Sequence, residues 1–418
     1  MKLLHHFLIS VCFCLLFLVV TDARTHPGDI EVLKDLKRLI DSKSITPGSC
    51  LSSWDFSVDP CDHVFSAYFT CGIRCDFSLA GLSRVTEVAL DGAGYSGLIT
   101  NITWLLPYLN TLDLSGNFLS GSLPESLSNL IHLRRLSLSK NAFSNSIPTS
   151  LGSLPYLEEI YLDQNQLSGL IPPSLNKLSH LTDLAVQHNQ LSGEFPFLGS
   201  LKNLYNFDAS DNNISSFGTT NPLSLPISLI SFSMRNNSLR GEMPRNFFHM
   251  QELEVLDLSY NELSGAITGE VFDLPSLQQL NLSHNQFSAV NSPNGKGKKR
   301  GNVLAVDLSY NKISGLLPKF LAELPNLSAL SLEHNMFTGM IPPVYALRVA
   351  TVSFQRLLLG GNYLFGPIPD PLKRVEPGSV TVSLVDNCLY TCPVTLFFCQ
   401  GGEQKTLIQC KSLRHRIP

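Results

Sequence analysis

A leucine-patterned unit of about 24 residues returns along most of this 418-residue chain, and no other feature limits its fold as strongly. The segment LPYLNTLDLSGNFLSGSLP, ending at Pro124, recurs as LRRLSLSKNAFSNSIP, LEEIYLDQNQLSGLIP, LTDLAVQHNQLSGEFP, LEVLDLSYNELSGAI and FQRLLLGGNYLFGPIP. The shared frame is L-x-x-L-x-L-x-x-N-x-L, often followed by S-G-x-I-P. Its asparagine falls at Asn117, Asn141, Asn165, Asn189, Asn212, Asn237, Asn261, Asn285, Asn311, Asn335 and Asn362. Successive gaps are 24, 24, 24, 23, 25, 24, 24, 26, 24 and 27 residues. Ala93 takes the slot in an earlier unit and VSLVDNCL ends the array at Asn387, which gives twelve repeats and a fragment.

The L-x-L alternation predicts a short strand with leucines inward and x residues outward. The asparagine sits where the chain leaves the strand, where its amide can bond main-chain groups of neighbouring coils. The proline then breaks regular structure on the far side. One coil cannot bury its own leucines, but stacked coils share a core. Twelve parallel strands about 4.8 Å apart make a sheet on the order of 50 Å long. A coiled coil is excluded, because the period is not seven and proline recurs in most units.

Such a stack exposes its core at both ends. Residues 29–40, DIEVLKDLKRLI, carry apolar side chains at Ile30, Leu33, Leu36, Leu39 and Ile40, which predicts an amphipathic helix with Asp29 as N-cap. Apart from Cys12 and Cys14, the cysteines form two groups, Cys50, Cys61, Cys71 and Cys75, then Cys388, Cys392, Cys399 and Cys410. Even numbers at the two ends read as disulfide-stapled caps made in an oxidising compartment. Pairing within each group stays open among three connectivities. Zinc is the competing use of Cys388 and Cys392, but a secreted chain argues against it. Export is read from the start: Lys2, an apolar run over residues 7–20, then Thr21-Asp22-Ala23 with small side chains for cleavage. The run is shorter than the roughly 20 residues of a membrane helix. The expected organisation is a signal peptide at 1–23, a cysteine-rich cap at 24–81, the repeats at 82–386 and a second cap at 387–418. With 44% hydrophobic and 15% charged residues the chain can build a large core. A net charge of −4 offers no basic footprint for nucleic acid.

The S-G-x-I-P units, the N-terminal helix, and WDFSVDPC followed by FTCGIRC resemble plant extracellular leucine-rich-repeat proteins. That group holds receptor-like proteins, receptor-kinase ectodomains, polygalacturonase-inhibiting proteins and the DNA-damage-toleration-type secreted proteins. The resemblance covers roughly residues 28–410. It implies an α/β solenoid: a right-handed leucine-rich-repeat superhelix with a concave parallel β-sheet, 3₁₀ turns on the convex side and stapled caps. The sequence departs from the group at Phe69, which stands where a tryptophan is usual, and in the extra Cys50 and Cys71. Neither a membrane span nor a GPI signal is read after the last repeat, since the apolar run at 394–399 is short and the tail KSLRHRIP is basic. No kinase segment is read in these residues.

Other motifs weigh less. Gly92, Gly94 and Gly97 spell G-x-G-x-x-G, but they fall in a repeat turn rather than opening a helix in a βαβ unit. Lys296, Lys298, Lys299 and Arg300 make a basic loop, read as solvated. His188, His284 and His334 share the position before the frame asparagine, two or four strands apart, too far to share a metal. Asp113, Asp208, Asp257 and Asp307 match the L-D-L-S consensus and read as scaffold. No pattern of a catalytic triad or metallohydrolase appears, so neither enzyme activity, metal nor cofactor is expected. Glycosylation sequons stand at Asn101, Asn213, Asn236, Asn281 and Asn326. Glycans at Asn236 and Asn281 would cover the seventh to ninth repeats.

Outward strand positions that leave the consensus mark an expected binding surface in repeats three to six: Arg135, Lys140, Glu159, Tyr161, Asp163, Gln187, His188 and Asp211. Tyr161, flanked by charges, suits an interface anchor. The expected function is a secreted, monomeric recognition module in the apoplast or cell wall. It would bind a peptide, a protein or a receptor-kinase ectodomain on its concave face. The alternative is an apoplastic inhibitor of a cell-wall-degrading glycosidase.

Overall fold

The computed structural model describes residues 24–62, 67–77, 81–218, 225–293 and 301–412. The expected signal segment, the basic side chains at 296–300 and the last residues of the basic tail lie outside them. The chain divides into two compact units, residues 1–142 and 143–418.

In the first unit, the strand Leu82–Ala89 has Arg24–Thr25 parallel on one edge and Ile73–Phe77 antiparallel beside it. Thr111–Asp113 and then Arg135–Ser137 add in parallel, with Leu112 opposite Leu136, one repeat on. The helix Pro27–Leu39 closes this end. Its N-cap is His26 rather than Asp29: the His26 ring accepts from the Gly28 N–H at 3.1 Å. Pro27 at the first helical position starts the helix earlier, because its fixed φ suits that turn and it has no N–H to satisfy. Asp29 is thereby carried inward. It is 1% exposed and accepts from Arg84 at 2.8 and 3.0 Å and from the Val85 N–H at 2.9 Å. Val32, Leu33 and Leu36 bury the same face. Two disulfides staple the cap, Cys50–Cys71 and Cys61–Cys75.

In the second unit a parallel sheet runs in sequence order from Glu159–Tyr161 to Thr381–Ser383. Each inward leucine pairs with its counterpart one repeat on, as Leu256 with Leu280. In part of the core the leucines give way to aromatic rings: Phe207 stacks on Phe232 at 5.2 Å, with Phe195 and Phe247 edge-on to them. The I-P proline does more than end the strand. Pro148, Pro172 and Pro244 are the residues from which the 3₁₀ turns Thr149–Ser153, Pro173–Lys177 and Arg245–His249 start. Later coils replace these with short α-helices, the longest Pro343–Ala350. Cys388–Cys410 and Cys392–Cys399 staple the far end.

The asparagines tie coil to coil. Asn261 accepts from the Leu239 N–H at 3.0 Å. Its amide donates to the carbonyls of Met234, Leu258 and Ser259 at 2.9–3.1 Å. Buried main-chain groups that an irregular turn would strand are thus satisfied by one side chain.

Candidate interaction surface

Each frame position has a distinct job, which determines what is left to meet a partner. The second outward residue of the strand serves the scaffold where it is aspartate. One oxygen of Asp257 accepts the Ser259 N–H at 2.9 Å and its hydroxyl at 2.6 Å; Asp307 does the same for Ser309. Asn281 stands in for aspartate, accepting from the Ser283 hydroxyl at 2.8 Å and donating to Asp257 at 3.2 Å. The third outward residue turns inward as the chain leaves the strand, and Ser210, Ser259, Ser283 and Ser309 are buried there.

That inward turn corrects part of the expected surface. Asp163 holds the serine position and is buried, 9% exposed, so it does not project beside Tyr161. Gln187 holds it too and is half-buried. Its side-chain carbonyl is buried with no hydrogen-bond partner among the described residues. Glu159 and Tyr161 are half-buried on their strand, with Asp183 and Ala185 opposite. His188 is exposed, and its Nδ1 lies 3.4 Å from Asp211, which also accepts from Asn236 at 2.6 Å. The second unit therefore gathers His188, Asp211 and Asn236. In the first unit, Arg135 is on the strand, while Lys140 follows it in the left-handed turn.

Four sequons, at Asn101, Asn213, Asn236 and Asn326, are on exposed side chains. Asn281 is half-buried and bonded at both ends of its amide. In the glycine motif of the first repeat, Gly92 and Gly94 precede the strand Ser96–Leu98 and Gly97 lies within it. A Cβ on Gly97 would lie 2.4 Å from the Leu39 carbonyl, so the glycine lets the helix end pack on this strand.

One feature escaped the sequence reading. The residue before the frame asparagine has positive φ in coil after coil: Gln164, His188, Asp211, Asn236, Tyr260, His284, Tyr310 and His334 lie between 50° and 55°. The main chain imposes this. The Tyr260 N–H donates to the Ser283 carbonyl at 3.0 Å, and the Asn261 N–H donates to the His284 carbonyl at 3.0 Å. In four successive coils this position is aromatic. Tyr260 to His284, His284 to Tyr310 and Tyr310 to His334 have ring centroids 4.0, 4.2 and 4.3 Å apart. The available signal was the alternation Y-N, H-N, Y-N, H-N. Considering only the histidines, and only as metal ligands, hid the tyrosines between them.

The leucine-rich-repeat family models match residues 108–130, 131–191 and 227–287. The coils are leucine-rich repeats. In sequence the chain is similar to the Arabidopsis thaliana leucine-rich repeat receptor-like serine/threonine-protein kinase SKM1, 33% identical over 116 residues. That match covers 27% of this chain and 10% of the kinase. In structure it is similar to PEPR1 in the PEPR1–AtPEP1 crystal structure, with 28% identity and a TM-score of 0.72 over 91% of this chain and 51% of that one. The Arabidopsis receptor kinase HAESA ectodomain, solved with an N-terminally extended IDA peptide hormone ligand, matches with 27% identity and a TM-score of 0.62. There the match covers 87% of this chain and 62% of the ectodomain. The chain spans about half the length of the first of these structures and about a tenth of the kinase. Among the described residues no helix is long and apolar enough to cross a membrane.

Proposed function

We propose that this chain is a secreted recognition module that binds an extracellular peptide, protein or receptor ectodomain on the solvent face of its sheet. The observation that carries the reading is the likeness, over most of the chain, to a receptor ectodomain that holds a peptide hormone. Eight cysteines paired in four disulfides suit an oxidising, extracellular site of action. The repeat scaffold consumes the asparagines, the consensus aspartates and the serines. The first outward strand residue, the left-handed residue and, where it is not aspartate, the second outward residue can differ from coil to coil. Glu159, Tyr161, His188 and Asp211 are such residues in the second unit, Arg135 and Lys140 in the first, and we assign partner contact to them. Gln187 and Asp163 support them from the turn.

Affinity capture from a cell-wall extract with the mature protein tests the reading. Recovery of a receptor kinase or a secreted peptide supports it. Recovery of a glycosidase whose activity the protein suppresses replaces it with enzyme inhibition.

A further inference from the structure

The aromatic rungs Tyr260, His284, Tyr310 and His334 are not a requirement of the fold. Gln164, His188, Asp211, Asn236 and Asp386 hold the same left-handed position in other coils. Yet the rungs are fitted to one another. His284 stands edge-on between the two tyrosines at 69° and 81°, and its Nδ1 is buried with no hydrogen-bond partner among the described residues. His334 lies nearly parallel to Tyr310, at 22°. One coil further on the position is Gly361, where a Cβ would come within 2.5 Å of the His334 ring. The outer parts of Tyr260 and Tyr310 remain open, 44% and 48% exposed.

Three observations define the chemistry of what lies against this ladder. First, it already holds one cation: the Arg235 guanidinium carbon sits 5.3 Å over the Tyr260 ring. Second, the same coils carry the half-buried carboxylates Asp257, Asp307 and Glu333. Asp307 caps Ser309 with one oxygen, and its other oxygen has no hydrogen bond among the described residues. Third, small outward residues on adjacent strands leave a hollow of about 200 Å³, lined by Ala305 and Ala329 together with Gln279, Asn281, Asp307 and Arg356. Asp307 therefore belongs both to the hollow and to the coil of Tyr310. An aliphatic stem fits a hollow lined in part by alanine, and a planar cation fits between a carboxylate oxygen without a hydrogen bond and a ring.

We propose that the Tyr–His ladder and the hollow beside it dock an extended, arginine-bearing segment of a protein partner, with one arginine stem in the hollow and its guanidinium at Asp307 and Tyr310. The contact repeats intermolecularly what Arg235 does on Tyr260. Arginine is favoured over lysine because its flat, weakly hydrated head stacks on rings and pairs with a carboxylate at once. Rings held by their neighbours lose little side-chain freedom on binding, which suits interface anchors. From Tyr260 to His334 is three coil steps, roughly 14 Å at about 4.8 Å each, the length of four or so extended residues. The inference rests on the recognition reading but places a surface separate from Tyr161. It also requires Asn281, at the border of the hollow, to be free of glycan.

The test uses fluorescent, end-capped hexa-arginine as probe and hexa-lysine as control, read by anisotropy at about 0.15 M salt. The full chain is compared with Tyr310→Asn and Asp307→Asn. Both variants place residues that the chain itself uses at those frame positions, at Asn236 and Asn281, so the coils should keep their melting temperature. Expected is hexa-arginine binding at least tenfold tighter than hexa-lysine, weakened tenfold or more by either substitution and unchanged by Tyr161→Ala. Equal binding of the two probes, no binding of hexa-arginine, or full binding by Tyr310→Asn overturns the proposal. So does a glycan found on Asn281 by peptide mapping. A partner lost only through Tyr161→Ala would leave the recognition reading standing while removing this one.

Discussion

Asn285 offers the most exacting check of how the coils cohere. Its side-chain oxygen accepts from the Leu263 N–H at 3.0 Å, and its amide donates to the carbonyls of Leu258, Leu282 and Ser283 at 2.9–3.2 Å. Two amide protons serve three carbonyls, and each carbonyl has a second donor. Leu258 is also reached by Asn261, Leu282 by Asn311, and Ser283 by the Tyr260 N–H. Only the Leu263 N–H, in a fully buried residue, depends on Asn285 alone among the described residues. Asn285→Ala therefore strands one buried donor, costing about 1–3 kcal/mol, and removes two replaceable bonds worth about 0.5–1 kcal/mol each. The expected total is about 2–5 kcal/mol.

Stacked coils open locally, so the loss should appear in hydrogen exchange before global unfolding. The informative amides are Leu258 and Leu282, whose own bonds, to the Asn281 and Asp307 carbonyls at 2.9 Å, the substitution leaves alone. Their exchange should speed by roughly 30- to 5000-fold, at about 1.36 kcal/mol per tenfold. Asn285→Asp keeps the acceptor for Leu263 but turns a carboxylate toward three carbonyls. It should be worse than alanine at neutral pH. It should recover on acidification, because the carboxyl's folded-state pKa is raised and the penalty vanishes as pH falls through it. A loss below about 1 kcal/mol in the alanine variant, or an aspartate variant as stable as wild type at pH 7, would refute the reasoning.

Other expectations follow from single residues. Asp29→Ala removes the partner of Arg84 from a site 1% exposed and should cost about 3–5 kcal/mol, read as a lowered melting temperature. Tyr161→Ala should weaken partner binding by more than about 2 kcal/mol with little change in melting temperature, whereas buried Asp163→Ala should lower stability as well; undiminished affinity in the first would remove Tyr161 from the interface. Burial holds the His284 pKa below its ordinary value, Asp307 opposes the shift and Arg235 adds to it. A base with a depressed folded pKa stabilises above its unfolded pKa of about 6.5 and loses that contribution as pH falls, so acid destabilisation should be smaller in His284→Asn. Equal pH slopes in wild type and variant would count against it.

The fold was legible because its determinants are periodic and local. Leucine spacing names the inward face, the asparagine names the turn, and the proline marks the crossing. Each recurs often enough to average out exceptions such as Ala93. Asp29 was misread because capping preference favours aspartate generally, while Pro27 and the need to satisfy Arg84 decided this case. Asp163 was misread for a related reason. Strict alternation carries an outward residue through to the turn, but the chain bends before it gets there, and the serines at that position are buried. Which cysteines pair could not be read, because pairing depends on how each cap folds back on itself.

The left-handed position explains why the surface was harder to read than the scaffold. A non-glycine residue there costs roughly 1–2 kcal/mol relative to an ordinary conformation, and asparagine or glycine bears it best. The scaffold fixes the conformation through main-chain bonds and asks nothing of the side chain, so the repeat consensus leaves the position blank. A large ring there is the costly choice. The chain nonetheless places tyrosine at 260 and 310, with φ of 55° and 53°, and seats a histidine against each. Conformational cost retained at side chains that other coils do without points toward a role in binding. In a stack whose neighbours are one repeat apart, that role belongs to a column of side chains. The residues on either side of Tyr310 along the chain, Ser309 and Asn311, are both buried in the scaffold. Its functional neighbours are His284 and His334, 26 and 24 residues away in sequence and in ring contact with it.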